Sequence, residues 1–328
     1  MKAVLCRQYG PPSDLVVEEV PSLHPGPDQV LIAVHACGVN FPDTLIIQGK
    51  YQFKPALPFS PGGEVSGVVK EVGPGVTRFQ RGDRVIAGMT WGGYAQEALA
   101  PAERVIRMPD GMDFQTAAAF LVTYGTSHHA LKDRAELKAG ETVLVLGAAG
   151  GVGLAAVEIG KVMGARVIAA ASTEDKLAVC RRYGADHTIN YASEDLRERV
   201  KALTGGRGVD VVYDPVGGDL SEPALRSMAW RGRFLVVGFA AGGIPSVPLN
   251  LPLLKGCSIV GVFWGSFMIN EPERIEAELQ ELVTWTHEGR LHPRVHAVYP
   301  LERVGDALHD VMNRKVVGKV VLTTGLSN

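Results

Sequence analysis

A chain of 328 residues is longer than one ordinary hydrophobic core serves, so two domains are expected. Hydrophobic residues make up 46% of it and charged residues 21%, the balance of a soluble globular protein. The formal net charge of −2 argues against a nucleic-acid partner, which needs a basic face. No apolar run is long enough to span a bilayer, so no membrane partner is expected. Met1-Lys2-Ala3-Val4-Leu5-Cys6 enters strand-like sequence at once, without a signal-peptide pattern. The four cysteines, at 6, 37, 180 and 257, stand far apart with no C-x-x-C, which indicates neither a zinc knuckle nor a disulfide framework. A reducing, cytoplasmic location is the expectation.

The first third reads as β-rich. Apolar runs at 29–36, 65–72, 84–87 and 93–100 are separated by turns such as Gly73-Pro74-Gly75 and Arg81-Gly82-Asp83. That texture predicts a small barrel or sandwich. Over 117–131 the pattern turns helical. From 141 to 263 strands and helices alternate, with strands predicted at 143–146, 166–171, 187–190, 209–214, 233–238 and 258–263. Six strands joined by helices complete a doubly wound α/β sheet. A long helix is predicted over 272–288, then a strand at 295–299, a helix at 301–313 and a closing strand at 319–323. This tail is expected to return to the first domain.

The most informative stretch is Thr142 to Gly160. A β-branched run, as in a strand buried on both faces, leads through Gly147, Gly150, Gly151 and Gly153 into an Ala/Val/Ile helix pattern. Strand, glycine turn and helix in that order place backbone N–H groups where a pyrophosphate can sit. A lone glycine cluster is weak evidence. The strand at 166–171, however, closes a β-α-β unit. Many NAD-dependent enzymes carry an acid at its end to grip the ribose hydroxyls. Here Ser172-Thr173 stand there, with Lys176 one turn further on. A hydroxyl and an ammonium suit a 2′-phosphate, which selects NADPH. The competing reading makes Ser172 an N-cap and gives the ribose to Glu174.

Several motifs then act jointly: residues 38–43 (GVNFPD), 61–67 (PGGEVSG), 73–76 (GPGV), 82–85 (GDRV), 148–153 (AAGGVG), 210–218 (DVVYDPVGG) and 318–322 (GKVVL). By these the chain resembles the zinc-independent medium-chain dehydrogenases/reductases, close to the quinone oxidoreductase (zeta-crystallin) group, nearly end to end. The resemblance implies a GroES-like catalytic domain (1–123, completed by 266–328) with a Rossmann domain (124–265) inserted, an active site in the cleft between them, and a homodimer. In the zinc enzymes of this superfamily, the segment matching 39–43 supplies a cysteine ligand and that matching 62–64 a histidine. Asn40 and Gly63 hold those positions here, and an amide with a bare glycine does not replace them. No metal is expected. His128 and His129 diverge as neighbours on a helix.

Without a Lewis acid, a conjugated acceptor is easier to reduce than a simple carbonyl, provided its oxygen finds a donor and the product a proton. Tyr51 resembles the loop tyrosine that related enoyl thioester reductases use as proton donor; the bland alternative is an aromatic packing under a Pro-rich loop. Asn40 and Thr123 match positions near the nicotinamide ribose and the reacting centre, although Asn40 also suits a turn. Asp43 reads as structural. By the same carry-over Gly150, Gly151, Val152 and Gly153 meet the pyrophosphate, while Ser172, Lys176 and Tyr191 surround the 2′-phosphate. Tyr191 equally suits a cover for the sheet edge. Gly238-Phe239-Ala240 and Phe263-Trp264-Gly265 hold the nicotinamide, and Lys319 reaches the cofactor or is simply solvated. Many quinone reductases carry a second tyrosine where this chain has Leu45, which widens the acceptor to an enal, enone or acrylate-type thioester. The expectation is an NADPH-dependent reductase of a small conjugated acceptor. The alternatives are a 2-enoyl thioester (acryloyl-type) reductase and, in another class, an NADPH-binding sensor or crystallin-like protein.

Overall fold

The computed structural model describes residues 1–326. Fifteen strands are found among them: β1 (Lys2–Leu5), β2 (Val16–Glu19), β3 (Gln29–Val39), β4 (Glu64–Val72), β5 (Arg84–Gly88), β6 (Glu97–Pro101) and β7 (Val105–Arg107) come first. β8 (Thr142–Val145), β9 (Arg166–Ala171), β10 (His187–Asn190), β11 (Val209–Asp214), β12 (Met228–Val236) and β13 (Ser258–Gly261) follow, then β14 (Val295–Pro300) and β15 (Lys319–Thr323). They divide between two compact units, one of Met1–Val122, Met268–Val283 and Pro293 onward, the other of Thr123–Phe267 and Thr284–His292.

In the first unit the strands run β14-β15-β3-β4-β5-β7, with β6 also pairing β3. β3 is the axis. Its Val30, Ile32 and Val34 are fully buried, and β4, β6 and β15 all bond to it antiparallel. Gly67 on β4 is required by that closeness, because a Cβ there would lie 2.0 Å from the Ala33 carbonyl oxygen. β15 thus ties the end of the chain into the first sheet. The predicted strand at 93–100 shortens to β6: the Gly93 and Tyr94 amides donate instead to the carbonyls of Gly62 and Pro61, at 3.0 and 2.9 Å, so that stretch pairs with a loop.

The second unit is a six-stranded parallel sheet, β10-β9-β8-β11-β12-β13, whose order reverses between β8 and β11. Every residue of β8 and β11 is buried, as strands covered on both faces must be. β12 begins five residues before the predicted 233. Its ladder to β11 skips between Val209 and Val211, and Arg231 takes a positive φ of 62°, an irregularity that hides the strand's start from a periodicity argument. Residues 284–292 also depart from the expected boundary. His292 N donates to Glu158 Oε1 at 2.9 Å and Arg290 to the Val162 carbonyl at 3.1 Å, which fastens this stretch to the helix Gly151–Val162. No described helix is long and apolar enough to cross a membrane.

Candidate active site

In the second unit the cofactor candidates gather at the carboxyl ends of the parallel strands, where such sheets bind ligands. Beyond β8, Gly147 takes φ 57°, and a Cβ on it would meet Val216 at 2.7 Å. Gly150 precedes the helix Gly151–Val162, whose first amides have no carbonyl one turn earlier to bond. A Cβ at Gly153 would lie 2.3 Å from the Gly147 carbonyl oxygen, so helix and turn meet only because that residue is bare. Gly150 differs. A Cβ there makes only an ordinary contact of 3.4 Å inside the protein, so its bareness leaves room outside, as a phosphate cradle requires. Ser127 fixes the turn from beneath, donating to the Val152 carbonyl at 2.8 Å while its oxygen lies 2.9 Å from the Tyr213 hydroxyl.

Ser172 follows β9 and is half-buried, as is Lys176. The cap of the helix Glu174–Arg182 is Thr173, whose hydroxyl accepts from Lys176 N at 3.4 Å, and Glu174 pairs with Arg181. The competing assignment of Ser172 as the cap is therefore corrected, since Thr173 holds that place; the Glu174 carboxylate is paired with Arg181. Tyr191 follows β10, donates its amide to Ala171 O at 3.1 Å and packs against the core. After β12, Gly238 and Ala240 donate to Asp214 O and Pro215 O at 3.3 and 3.1 Å, which sets the turn around Phe239. Phe263 follows β13 and is partly exposed. The Trp264 ring is core, packed where a Cβ on Gly125 would be 2.5 Å away. Gly265 lies in the helix Trp264–Asn270, and Thr123 is buried in Leu121–His128. His128 tilts against Trp285 and His129 stacks on Phe267 with ring centroids 4.1 Å apart, so the two histidines part company.

The first unit brings together Asn40, Glu64 and Lys319. Asn40 follows β3 and caps the helix Phe41–Ile46. Lys319 opens β15, only 5% exposed, and its ammonium donates to Val39 O at 2.9 Å, Asn40 Oδ1 at 2.6 Å and Glu64 Oε2 at 3.2 Å. Three protons meet three acceptors. Lys319 is therefore not simply solvated, and its ammonium is held by these three internal acceptors. Glu64 is fully buried, its Oε1 accepting from Val122 N at 2.9 Å and its Oε2 also from Asn40 Nδ2 at 3.2 Å. Sequence reasoning passed over Glu64 as a member of this cluster. The available signal was a carboxylate heading an otherwise apolar strand. At Gly63 a Cβ would lie 2.9 Å from the Met89 carbonyl oxygen. No group of three or more His, Cys, Asp or Glu able to hold a metal occurs among the described residues.

Tyr51 lies in the loop after that helix, half-buried, its ring centroid 5.9 Å from that of Phe53. Burial first, and then the Asp43 carboxylate, raise its phenol above the ordinary value. Asp43 is buried and accepts from Asn40 N at 2.7 Å and from the Tyr94 hydroxyl at 2.8 Å.

A family model described as an alcohol dehydrogenase GroES-like domain matches residues 26–110, and one described as a zinc-binding dehydrogenase matches residues 151–284. The quinone oxidoreductase-like protein 2 homolog of Nematostella vectensis is 42% identical over 327 residues, 98% of this chain and 89% of that protein. The crystal structure of Escherichia coli quinone oxidoreductase complexed with NADPH superposes with a TM-score of 0.91 at 30% identity, covering 98% of this chain and all (100%) of that one. The structure of a 2-haloacrylate reductase does so with a TM-score of 0.86 at 35% identity, covering 99% and 100%. A GroES-like unit joined in one chain to a dinucleotide-type parallel sheet defines a two-domain oxidoreductase. The chain belongs to the medium-chain dehydrogenase/reductase superfamily, in its quinone oxidoreductase-like group.

Asp43 yields a test of the site's electrostatics. Burial lifts its carboxyl from the ordinary range to about 6, against the opposing pull of the Asn40 amide, the Tyr94 hydroxyl and Lys319. The folded value exceeds the unfolded one. Its contribution to stability is therefore complete below roughly pH 4 and is lost as pH rises through about 6. Between pH 4 and 7, Asp43→Asn is expected to gain on the wild type by on the order of 2 kcal/mol in urea melts. Parallel pH dependences of the two proteins would contradict the assignment.

Proposed function

We propose that this protein is an NADPH-dependent reductase that moves hydride onto a conjugated acceptor, a quinone or an α,β-unsaturated carbonyl, without zinc. The observation that carries the reading is the pair of positions where zinc-dependent relatives place cysteine and histidine. One holds Asn40, whose amide is committed to Lys319, Glu64 and Gly38; the other holds Gly63, where even a Cβ meets the Met89 carbonyl. This donor set does not fit tetrahedral zinc. The NADPH complex of the E. coli quinone oxidoreductase supports the cofactor, and so do the room at Gly150 and the Ser172–Lys176 pair in place of an acid.

Bound NADPH supplies the hydride. Gly150, Gly151, Val152 and Gly153 would hold its pyrophosphate on backbone amides, and Ser172, Lys176 and Tyr191 its 2′-phosphate. Gly238, Phe239, Ala240, Phe263, Trp264 and Gly265 would seat the nicotinamide largely through backbone groups, beside Thr123. Tyr51, kept neutral at physiological pH by burial and by Asp43, would give its phenolic proton to the reduced acceptor. Asn40 would accept from the ribose.

A second reading, a 2-enoyl thioester or acrylate-type reductase, draws on Leu45, which leaves the acceptor loop without a second tyrosine, and on the likeness to a 2-haloacrylate reductase. One assay separates these readings from an NADPH-binding protein with little turnover: NADPH oxidation across a panel of quinones, enones and enoyl thioesters, with the metal content of the active protein measured alongside. Tyr51→Phe should lower turnover about 10²- to 10⁴-fold with the NADPH dissociation constant unchanged. Unaltered turnover would remove Tyr51 from the chemistry. Lys176→Ala should weaken NADPH about tenfold or more and NADH hardly at all. Equal weakening would refute the 2′-phosphate assignment.

We also infer a homodimer. β13 is the outer strand of its sheet, with only β12 beside it. Trp230 on β12 and Ile244, Leu249, Leu253 and Leu254 on the stretch between β12 and β13 are all at least 70% exposed, and Ile259 on β13 itself is 41% exposed. A free strand edge beside large apolar side chains is poorly suited to water and well suited to a second copy. Leu253→Asp with Ile259→Asp should convert a dimer to a monomer in sedimentation velocity. A wild type that already sediments as a monomer would end this inference.

A further inference from the structure

Asn40 has one orientation open to it, and the reason lies in residues that touch no ligand. A side-chain amide offers two N–H donors and an oxygen with two lone pairs. Both donors are used, to Gly38 O at 3.3 Å and to Glu64 Oε2 at 3.2 Å. The oxygen accepts from Lys319 Nζ at 2.6 Å, which leaves a single lone pair. Turning the amide over would set its NH₂ against the ammonium, and its oxygen against a carboxylate and a carbonyl. All three contacts would then be repulsive, between groups withdrawn from water. Glu64 reaches this place because residue 38 is glycine: a Cβ there would lie 2.6 Å from Glu64 Oε2.

We propose that Lys319 and Glu64 are positioning residues that lock the Asn40 amide, so that Asn40 offers a bound ligand one hydrogen-bond acceptor and no donor. The proposal rests on the reductase reading for the identity of the ligand. Its chemical content is a specificity: Asn40 recognises a neutral O–H or N–H, such as a ribose hydroxyl, and cannot stabilise an oxyanion on the acceptor. Asn40 then acts in binding rather than in charge stabilisation. Lys319, whose three protons are already engaged, serves the cofactor only through it.

Two measurements decide the matter. In the ligand-free protein, the side-chain NH₂ resonance of Asn40, assigned by its disappearance in Asn40→Asp, should exchange with solvent at least about tenfold more slowly than exposed asparagine amides. That protection should vanish in Lys319→Met. Free exchange in the wild type would overturn the proposal. The second measurement titrates wild type and Lys319→Met with NADPH and with 2′-phosphoadenosine 5′-diphosphate, which keeps both phosphate sites and lacks the nicotinamide ribose. NADPH should weaken about tenfold and the fragment by less than about twofold. Equal weakening of both would make Lys319 a direct phosphate ligand, and no weakening of either would deny it any role; each result overturns the proposal. Should Lys319→Met fail to fold, Lys319→Met/Glu64→Gln replaces it, with neither charge left buried alone. A wild type that binds neither compound defeats the reductase reading, while the amide exchange still judges the lock.

Discussion

A buried ammonium holds the first unit's candidate site together. Lys319 lies about 280 residues along the chain from Val39 and Asn40 and 255 from Glu64, yet bonds all three. Taking such a pair out of water costs several kcal/mol per ion, and the mutual attraction repays it only when every proton and lone pair is matched. Here the matching is complete on the lysine side, and both Glu64 oxygens accept. The arrangement depends in turn on β15 pairing with β3, where Val320 faces Val39, so the last strand is needed before the first helix can be set. Closing so long a loop is entropically slow but adds little to its final cost, since that cost grows only with the logarithm of length.

The second unit positions its groups by a different means. Its candidates are mostly backbone, and what places them is the termination of parallel strands along one edge. Buried β-branched and alanine-rich strands leave no freedom in register, so each strand end is a fixed point. The glycines then sort by purpose. Gly153 is bare because the protein itself presses on it, whereas Gly150 is bare without internal pressure.

Much of this was legible in the sequence, and unevenly so. Strands with steady burial, such as 166–171, 209–214 and 319–323, coincide with their predicted bounds because composition alone marks them. β12 was harder, since the irregularity at Arg231 interrupts the period on which prediction relies. β2, with its Val16–Glu19 pattern, carries too little apolar sequence to stand out. The site was legible in its glycines and not in its charges. Lys319 and Glu64 look like any lysine and glutamate; only tertiary pairing shows that each is the other's partner. Thr173 and Ser172 are equally good caps on paper, and the choice between them is made by where β9 ends.

Where zinc relatives place a cysteine and a histidine, this chain has an amide and a hydrogen. The positive charge nearby is instead an ammonium, and its difference from a metal ion is geometric as well as electronic. Zinc accepts lone pairs from its ligands and keeps a position open for substrate. An ammonium only donates, and one with three acceptors in place has nothing left to offer. On the proposed reading, polarisation of an acceptor oxygen falls to another group. Burial and then the Asp43 carboxylate raise the pKa of both the Tyr51 and the Tyr94 phenols; the Tyr94 hydroxyl is buried and spent on Asp43, whereas Tyr51 is half-buried in its loop. A neutral donor suits an oxygen that gains charge late, by delocalisation through a conjugated system, better than a carbonyl that must be polarised before hydride arrives.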